Sequence, residues 1–476
     1  MQDSVFRVYD IRGKIGEEFI IESVYNLARS LALYCKEKIG ALKELKTICV
    51  AMDARVHSPL IKQEFIKAFL DVGIHVIDLG LCSTPMLYFS QYTLDAQAGF
   101  MITASHNPSD YNGIKMVVNK QNLFDQDIVT IKNYFKSHNY APLAVQKGLV
   151  LDQAQELKNA YITYLKNLFP NLVGMQKKVV FDCGNGAVSV VLQDIINAFE
   201  WQQVTLLCVE LGVECEHEAN PADEPTLNHL KQVVKDTHAD LGIAFDGDGD
   251  RMGSVTSNGD WVSGDKLVGL FAQSIVNNNP GAAIVYDTTC SSIVADMVDS
   301  SGGVAYRSRS GHSFIKQAMK KHNALFGGEL SSHFFFNDRY FGFDDGLYAA
   351  LRLLELIIQS DKNLVELVAQ VPCKIGSPQV RLVCAIGKGP EIVLHAHTFF
   401  EKKYSGFGTI KIDTLDGVRI ETDHGWILVR SSNTQPVVCI RIEGEIHESL
   451  YLLREDLIEA LSPYYSAEIL YKTITW

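Results

Sequence analysis

The chain has no run of about 18–20 apolar residues, so it offers no candidate for a membrane-spanning helix. Positive charge is in deficit: 43 Lys and Arg face 56 Asp and Glu, a net of −13. A protein that coats nucleic acid leaves a basic footprint, and no such partner is expected here. The ten cysteines form no CxxC pair. Scattered thiols in a long chain read as reduced core residues of a cytoplasmic protein rather than a disulfide framework. The first residues, MQDSVFRVYDIRG, place acids and arginines where a signal peptide needs an apolar stretch. GxSxG elbows, HExxH pairs and Walker loops are all missing.

What remains is ample for a soluble globular protein. Hydrophobic residues make up 47% and charged residues 21% of 476 positions, which excludes a disordered chain. At roughly 100–200 residues per domain, that length holds two to four domains. Three short β-branched runs each close on an aspartate: Lys46–Asp53, Lys177–Asp182 and Ala282–Asp287. Polar turns and helix-like segments follow, as in Pro59–Val72 and Ser291–Val298. A second apolar run then ends in an unusual polar loop: Gly99–Thr103 before SHNP, Leu241–Phe245 before DGDGDR, and Ala324–Phe326 before GGELSSH. Strands alternating with helical patterns predict α/β units, and in such sheets ligands gather beyond the carboxyl ends of strands. After Val371-Pro372 the pattern changes to short strands, including Gly425–Val429 and Val437–Ile442, and a last helix at Leu450–Leu461. This predicts a smaller α+β domain. Four domains are expected, at 1–151, 152–253, 254–371 and 372–476.

Four loops carry chemistry. In Asp246-Gly247-Asp248-Gly249-Asp250-Arg251, carboxylates at i, i+2 and i+4 can turn toward one point. At about 4 Å and an effective dielectric near 20, each ionised pair repels by roughly 4 kcal/mol, so a divalent cation is the simplest counterweight. An EF-hand is excluded, because its sixth position is Arg251 and its twelfth Ser257. A solvated acidic turn is the weaker alternative. In Thr103-Ala104-Ser105-His106-Asn107-Pro108, Ser105 follows a strand beside His106, with Lys115 nearby. A nucleophilic or phosphate-carrying serine needs exposure, a proton acceptor and positive charge, yet the same residues also suit a plain turn. Glu329, Ser331 and His333 alternate in GELSSH and can face sugar hydroxyls together, or form an ordinary helix cap. Arg430, Ser432, Asn433 and Thr434 can bind a phosphate, or simply close a hairpin.

The four loops, in this order, closely resemble the α-D-phosphohexomutase superfamily, in its bacterial phosphomannomutase/phosphoglucomutase branch. The likeness runs from Phe6-Arg7-Val8-Tyr9-Asp10-Ile11-Arg12-Gly13 to RSSNTQP. It implies three related αβα mixed-sheet domains and a C-terminal domain like the TATA-box-binding protein, around a central cleft. It also implies that Ser105 carries the transferable phosphoryl group. Asp246, Asp248 and Asp250, with an oxygen of phosphorylated Ser105, would hold one Mg²⁺. Arg251 orients the serine, Lys115, His333 and Arg12 handle protons and charge, and His106 stands beside the carrier. Glu329, Ser331 and His333 read the sugar hydroxyls, and Tyr9 and His312 line the sugar. Arg430, Ser432, Asn433 and Thr434 grip the phosphate that stays behind.

The implied reaction moves a phosphoryl group between the 1- and 6-oxygens of glucose and mannose through a hexose 1,6-bisphosphate. The fourth domain would serve as a lid, and a cytoplasmic monomer acting on hexose phosphates is expected, with no nucleic acid or membrane as partner. Glucosamine phosphate is the competing substrate within the class. A non-catalytic sugar-phosphate sensor and a simple phosphatase are the competing functions. Two positions depart from the branch: Thr289 stands where a lysine is common, and Ser332 replaces the glycine of GEMSGH-type loops.

Overall fold

The computed structural model describes residues 1–40, 44–213, 215, 217–406, 410–432 and 436–475. They divide into two compact units, Met1–Gly264 with Ser331–Val368, and Asp265–Leu330 with Ala369–Trp476.

The first unit contains two sheets. In the first sheet the strand order is Ile11–Lys14, Tyr111–Val118, Ala98–Ile102, Thr47–Met52, His75–Leu81 and Val150–Asp152. Thr47–Met52 runs parallel to both of its neighbours, and Tyr111–Val118 is antiparallel to both of its own. Central parallel strands are covered on both faces, which is why Ile48 to Ala51 read as one unbroken apolar run. The following helix, Ser58–Asp71, starts with Pro59 in its first turn and buries Ile61, Phe65, Ala68 and Phe69. Phe65 and Phe69 pack on Phe100, with ring centroids 5.0 and 5.2 Å away.

The second sheet runs Trp261–Val262, Met252–Thr256, Leu241–Phe245, Val179–Asp182 and Val204–Leu207. The expected domain boundary at 253 therefore falls inside a strand. Met252–Thr256 pairs antiparallel with Leu241–Phe245 along its whole length, so the second sheet extends to Val262. The boundary expected at 151 likewise lies within Val150–Asp152, which pairs with His75–Leu81.

Segment Ser331–Val368 returns to this first unit. Its helix Gly346–Ser360 is capped by Asp345, whose side chain accepts from Tyr348 N. Tyr161 and Tyr340 also donate to Asp345, each at 2.8 Å. Phe341 stacks on Tyr92 and Tyr164, at 4.4 and 5.4 Å.

The second unit holds a parallel array of Val304–Ser308, Ala283–Asp287 and Phe326–Gly328. It also holds an antiparallel sheet ordered Ile375–Gly376, Val437–Gly444, Gly425–Ser431, Val418–Thr422 and Lys411–Asp413. Helices Gly389–Lys403 and His447–Leu461 supply Ile392, Phe400, Leu450 and Leu457 to a core shared with Ile420, Ile427 and Ile440 of that sheet. This is the α+β domain that the change of pattern after Pro372 predicts. Among the described residues no helix is long and apolar enough to cross a membrane. The cysteines are free thiols; Cys35, Cys49, Cys82, Cys183, Cys290 and Cys439 are buried, and Cys373 is exposed.

Candidate active site

Each of the three strand-closing aspartates organises the turn that follows it. Asp53 Oδ1 accepts from Arg55 N and from Ser58 Oγ, and Asp182 Oδ1 from Gly184 N at 2.9 Å. Asp287 Oδ1 accepts from Cys290 Sγ in its own turn at 2.9 Å, and from Leu330 N, just past strand Phe326–Gly328, at 3.2 Å. Carboxylates that catch a backbone N–H just past a strand fix the loop at the sheet's carboxyl edge.

In the first unit these edges bring the SHNP and DGDGDR loops together. Ser105 Oγ donates to Asp246 Oδ2 at 2.7 Å and lies 3.3 Å from His106 Nδ1. Ser105 has φ 53, a left-handed conformation that few non-glycine residues adopt and that clusters at functional sites. The exposure expected of a nucleophile is not found, because Ser105 is only 2% exposed. The metal loop covers it so closely that a Cβ on Gly247 would stand 2.6 Å from the Ser105 carbonyl oxygen. Only glycine fits there.

Asp246, Asp248 and Asp250 are fully buried, and their oxygens lie within 4.8 Å of one another. Asp246 Oδ1 accepts from the backbone N–H of Gly249 and Arg251, at 3.0 and 3.1 Å. Lys115 Nζ donates to Asp248 Oδ2 at 2.7 Å and also to Asp250 Oδ2. Burial, then the charges of Asp250 and Asp248, hold Asp246 well above the usual carboxylate range. Burial pushes Asp250 the same way, but Lys115 and His333 outweigh it and hold Asp250 well below that range. Burial works against the Lys115 ammonium, yet Asp248 and Asp250 raise it well above its ordinary value. Asp248 Oδ1 is buried with no hydrogen-bond partner. Three carboxylates with an unmatched oxygen make an all-oxygen donor set that fits a hard divalent cation such as Mg²⁺.

Arg251 and His333 meet in the same place. Arg251 Nε donates to His333 Nε2 at 3.2 Å and lies 3.8 Å from Asp246 Oδ2. His333 Nε2 is 3.2 Å from Asp250 Oδ1, and its Nδ1 is 3.1 Å from Ser331 Oγ. Ser332, between them, has φ 69 and is buried, so the branch's usual glycine is replaced at a position where glycine is favoured. Arg12 donates to Ala104 O at 3.2 Å, to Asn107 Oδ1 at 2.8 Å, and to Asp10. Tyr9 is half-buried beside it.

Sequence reasoning missed two residues of this site. Arg55 donates to the carbonyl oxygens of Ser105 at 2.7 Å, Asn107 at 2.6 Å, Pro108 at 2.6 Å and Tyr111 at 3.1 Å, clamping the serine loop. Its signal was a place two residues after a strand-closing aspartate. Thr84 donates through Oγ1 to Asp248 Oδ2 at 2.6 Å and through its backbone N–H to Asp248 O at 2.8 Å.

In the second unit, Glu329 is buried and accepts from Gly311 N, just before His312, itself buried at the head of helix His312–His322. Arg430 is buried and donates through Nε to Asp416 Oδ2 at 3.0 Å, an oxygen that also accepts from Ser310 N. Ser432 N donates to Val437 O at 2.9 Å. Asn433 and Thr434 lie outside the described residues. Thr289 is buried, and its hydroxyl donates to Asp287 Oδ2.

Sequence models of the phosphoglucomutase/phosphomannomutase family match in chain order: alpha/beta/alpha domain I at residues 3–141, domain II at 159–259, domain III at 263–374, and the C-terminal domain at 394–460. A Pseudomonas syringae pv. tomato protein named phosphomannomutase/phosphoglucomutase is 37% identical over 94% of this chain and 93% of its own. The chain belongs to the phosphoglucomutase/phosphomannomutase family. It is a phosphohexomutase, an isomerase with the four-domain architecture of that family. Other members differ in the name they carry. A Neisseria meningitidis serogroup A phosphoglucomutase is 34% identical over 94% of each chain. A Vibrio cholerae phosphomannomutase is 31% identical over 96% of this chain and 97% of its own. Among solved structures, a family member from Burkholderia thailandensis superposes with a TM-score of 0.87 at 29% identity, covering 97% of this chain and 98% of that one.

Proposed function

We propose that this phosphohexomutase exchanges the phosphoryl group between the 1- and 6-oxygens of both glucose and mannose phosphates, with Ser105 as the carrier. The observation that carries the assignment is the Ser105 Oγ–Asp246 contact at the edge of a buried carboxylate triad. Asp246, Asp248 and Asp250 are the residues to hold Mg²⁺, together with an oxygen of phosphorylated Ser105. Bound there, the cation would supply charge neutralisation for the phosphoserine.

The rest of the chemistry belongs to side chains, since phosphoryl transfer asks a protein for positioning and charge more than covalent work. Arg251 and Arg12 orient the carrier loop, and Lys115 stabilises charge on the group in transit. His106, Lys115 and His333 are the groups placed to accept or return a hydroxyl proton. Glu329, Ser331 and His333 read the sugar hydroxyls, with Tyr9 and His312 against the ring. Arg430, Ser432, Asn433 and Thr434 hold the phosphate that is not moving. After the first transfer the hexose 1,6-bisphosphate must turn over before its other phosphate returns to Ser105. The sugar and phosphate loops must therefore accept two orientations of one ligand.

Relatives named for both sugars, at 35–37% identity, support dual specificity. A cytoplasmic monomer with no nucleic-acid or membrane partner completes the proposal, and the acidic balance argues against nucleic acid. Turnover of glucose 1-phosphate and of mannose 1-phosphate, with Mg²⁺ and bisphosphate activator, tests the reading. Both 6-phosphates should form without free phosphate. Ser105→Ala should lose the covalent phosphate and at least ~10⁴ in turnover. Isomerisation of one sugar alone refutes dual specificity, and an active Ser105→Ala refutes the carrier.

A further inference from the structure

One cluster of soft donors stands apart from the residues assigned above. Cys208, Cys215 and His217 present two sulfurs and a ring nitrogen within 4.8 Å of one another. Cys208 follows strand Val204–Leu207 directly, in a left-handed conformation with φ 48. His217 Nδ1 lies 3.0 Å from the Glu218 carbonyl oxygen. A carbonyl only accepts, so Nδ1 carries a proton. Nε2 faces Cys208 Sγ at 3.7 Å and donates to the buried Asp182 Oδ2 at 3.0 Å, a proton it gives up when a metal binds. Ligating histidines are held in this way, with the far N–H tied to a backbone carbonyl.

The spacing matches a tetrahedral ion. Bonds of about 2.3 Å to sulfur and 2.0–2.1 Å to nitrogen set sulfur and nitrogen roughly 3.6 Å apart across a tetrahedral angle. Two thiolates with an imidazole are a zinc donor set, unlike the all-oxygen triad of the Ser105 site.

We propose that Cys208, Cys215 and His217, with Asp182 as the fourth donor, form a structural Zn²⁺ site. Both thiols and His217 Nε2 lose a proton on binding; two Zn–S bonds and one Zn–N bond form and the three protons leave to solvent, with no change of oxidation state. The ion ties Cys208, Cys215 and His217 to the turn after Asp182. That turn packs against the metal loop of the active site, where Ala187 N donates to Gly247 O at 2.9 Å. The zinc therefore braces the backbone that carries Asp246 and Asp248 without touching substrate.

The test uses the full chain, stripped of metal under reducing conditions and kept in excess Mg²⁺, then titrated with Co²⁺. A thiolate-to-cobalt charge-transfer band should saturate at one ion per chain and vanish when Zn²⁺ is added. Cys208→Ser and Cys215→Ser should each abolish the band. Asp182→Asn should weaken Co²⁺ binding ~10–100-fold. Should both serine variants fail to fold, thiol labelling of the wild type still decides, because Zn²⁺ should protect two thiols. A missing band, a band that survives in both variants, or thiol labelling unaffected by Zn²⁺ overturns the proposal. The His217–Asp182 contact is then an ion pair and nothing more.

Discussion

Lys115→Met removes a buried ammonium from between two buried carboxylates, and its cost can be reached by two routes. Breaking a buried ion pair by deleting one partner costs about 3–5 kcal/mol, because the charge left behind is uncompensated. Two carboxylates about 4 Å apart at an effective dielectric near 20 repel by roughly 4 kcal/mol, a cost the lysine now cancels. Lys115 Nζ is 2.7 Å from Asp248 and also bonds Asp250, so the full amount applies. At about 2–4 °C per kcal/mol for a large domain, the unfolding midpoint of the first unit should fall by roughly 6–20 °C in chelator at pH 8.

Saturating Mg²⁺ should return more than half of that loss. A ligand at 100 times its dissociation constant stabilises by about 2.7 kcal/mol, and without the competing ammonium the triad binds the cation more tightly. Acid should help too. A carboxylate forced upward by its neighbours, as Asp246 already is, stabilises the fold when protonated and loses that contribution as pH rises. The gap between variant and wild type should therefore narrow as pH falls from 8 toward 5. Scanning calorimetry of both proteins, with and without Mg²⁺ and at several pH values, measures all of this. Equal midpoints in chelator at pH 8 refute the electrostatic reasoning. A loss indifferent to Mg²⁺ and pH assigns Lys115 to packing.

Arg55→Ala should lower kcat ~10–100-fold with little change in KM, since it positions the Ser105 loop without touching substrate; Arg55→Lys, lacking the planar fork, should recover only part. A fall in stability with kcat intact would assign Arg55 a purely structural role. Ser332→Gly should raise the unfolding midpoint by roughly 1–3 °C, because relief of ~1–2 kcal/mol of left-handed strain outweighs the entropy glycine adds to the unfolded chain; an unchanged or lower midpoint counts against it. Burial raises Asp345 from 3.8 to about 6 against the hydrogen bonds of Tyr348 N, Tyr340 and Tyr161. Its protonated form favours the fold fully below pH 4, and up to ~3 kcal/mol is lost as pH rises through about 6. Asp345→Asn should lack that decline, as unfolding midpoints from pH 4 to 7 will show.

Much of the fold is legible locally because the strands announce themselves. Thr47–Met52, Val179–Asp182 and Ala283–Asp287 are β-branched runs stopped by an aspartate, and that aspartate makes the turn. Met252–Thr256 is harder to read, since Gly253 and Ser254 look like loop and only pairing with Leu241–Phe245 makes the segment a strand. The chemistry of the site was visible wherever it is written in side chains at short spacing, as in Asp246, Asp248 and Asp250. It was hidden wherever a side chain grips distant backbone. Arg55 holds carbonyls some fifty residues away, and its place two residues after Asp53 marks a turn without naming those partners. The burial of Ser105 was equally invisible, because the loop that covers it comes from another domain's sheet.

The return of Ser331–Val368 to the first unit has a consequence for how the protein is made. Tyr161 and Tyr164 emerge early, yet Phe341 and Asp345, which complete their packing, are translated only after the whole of Asp265–Leu330. At about 5–20 residues per second, the nascent first unit waits several seconds with that aromatic face and the buried tyrosine hydroxyl unpaired. A chaperone that shields apolar surface during synthesis has its natural target there, and a stalled chain ending before Asp345 should be more prone to proteolysis than one ending after Val368.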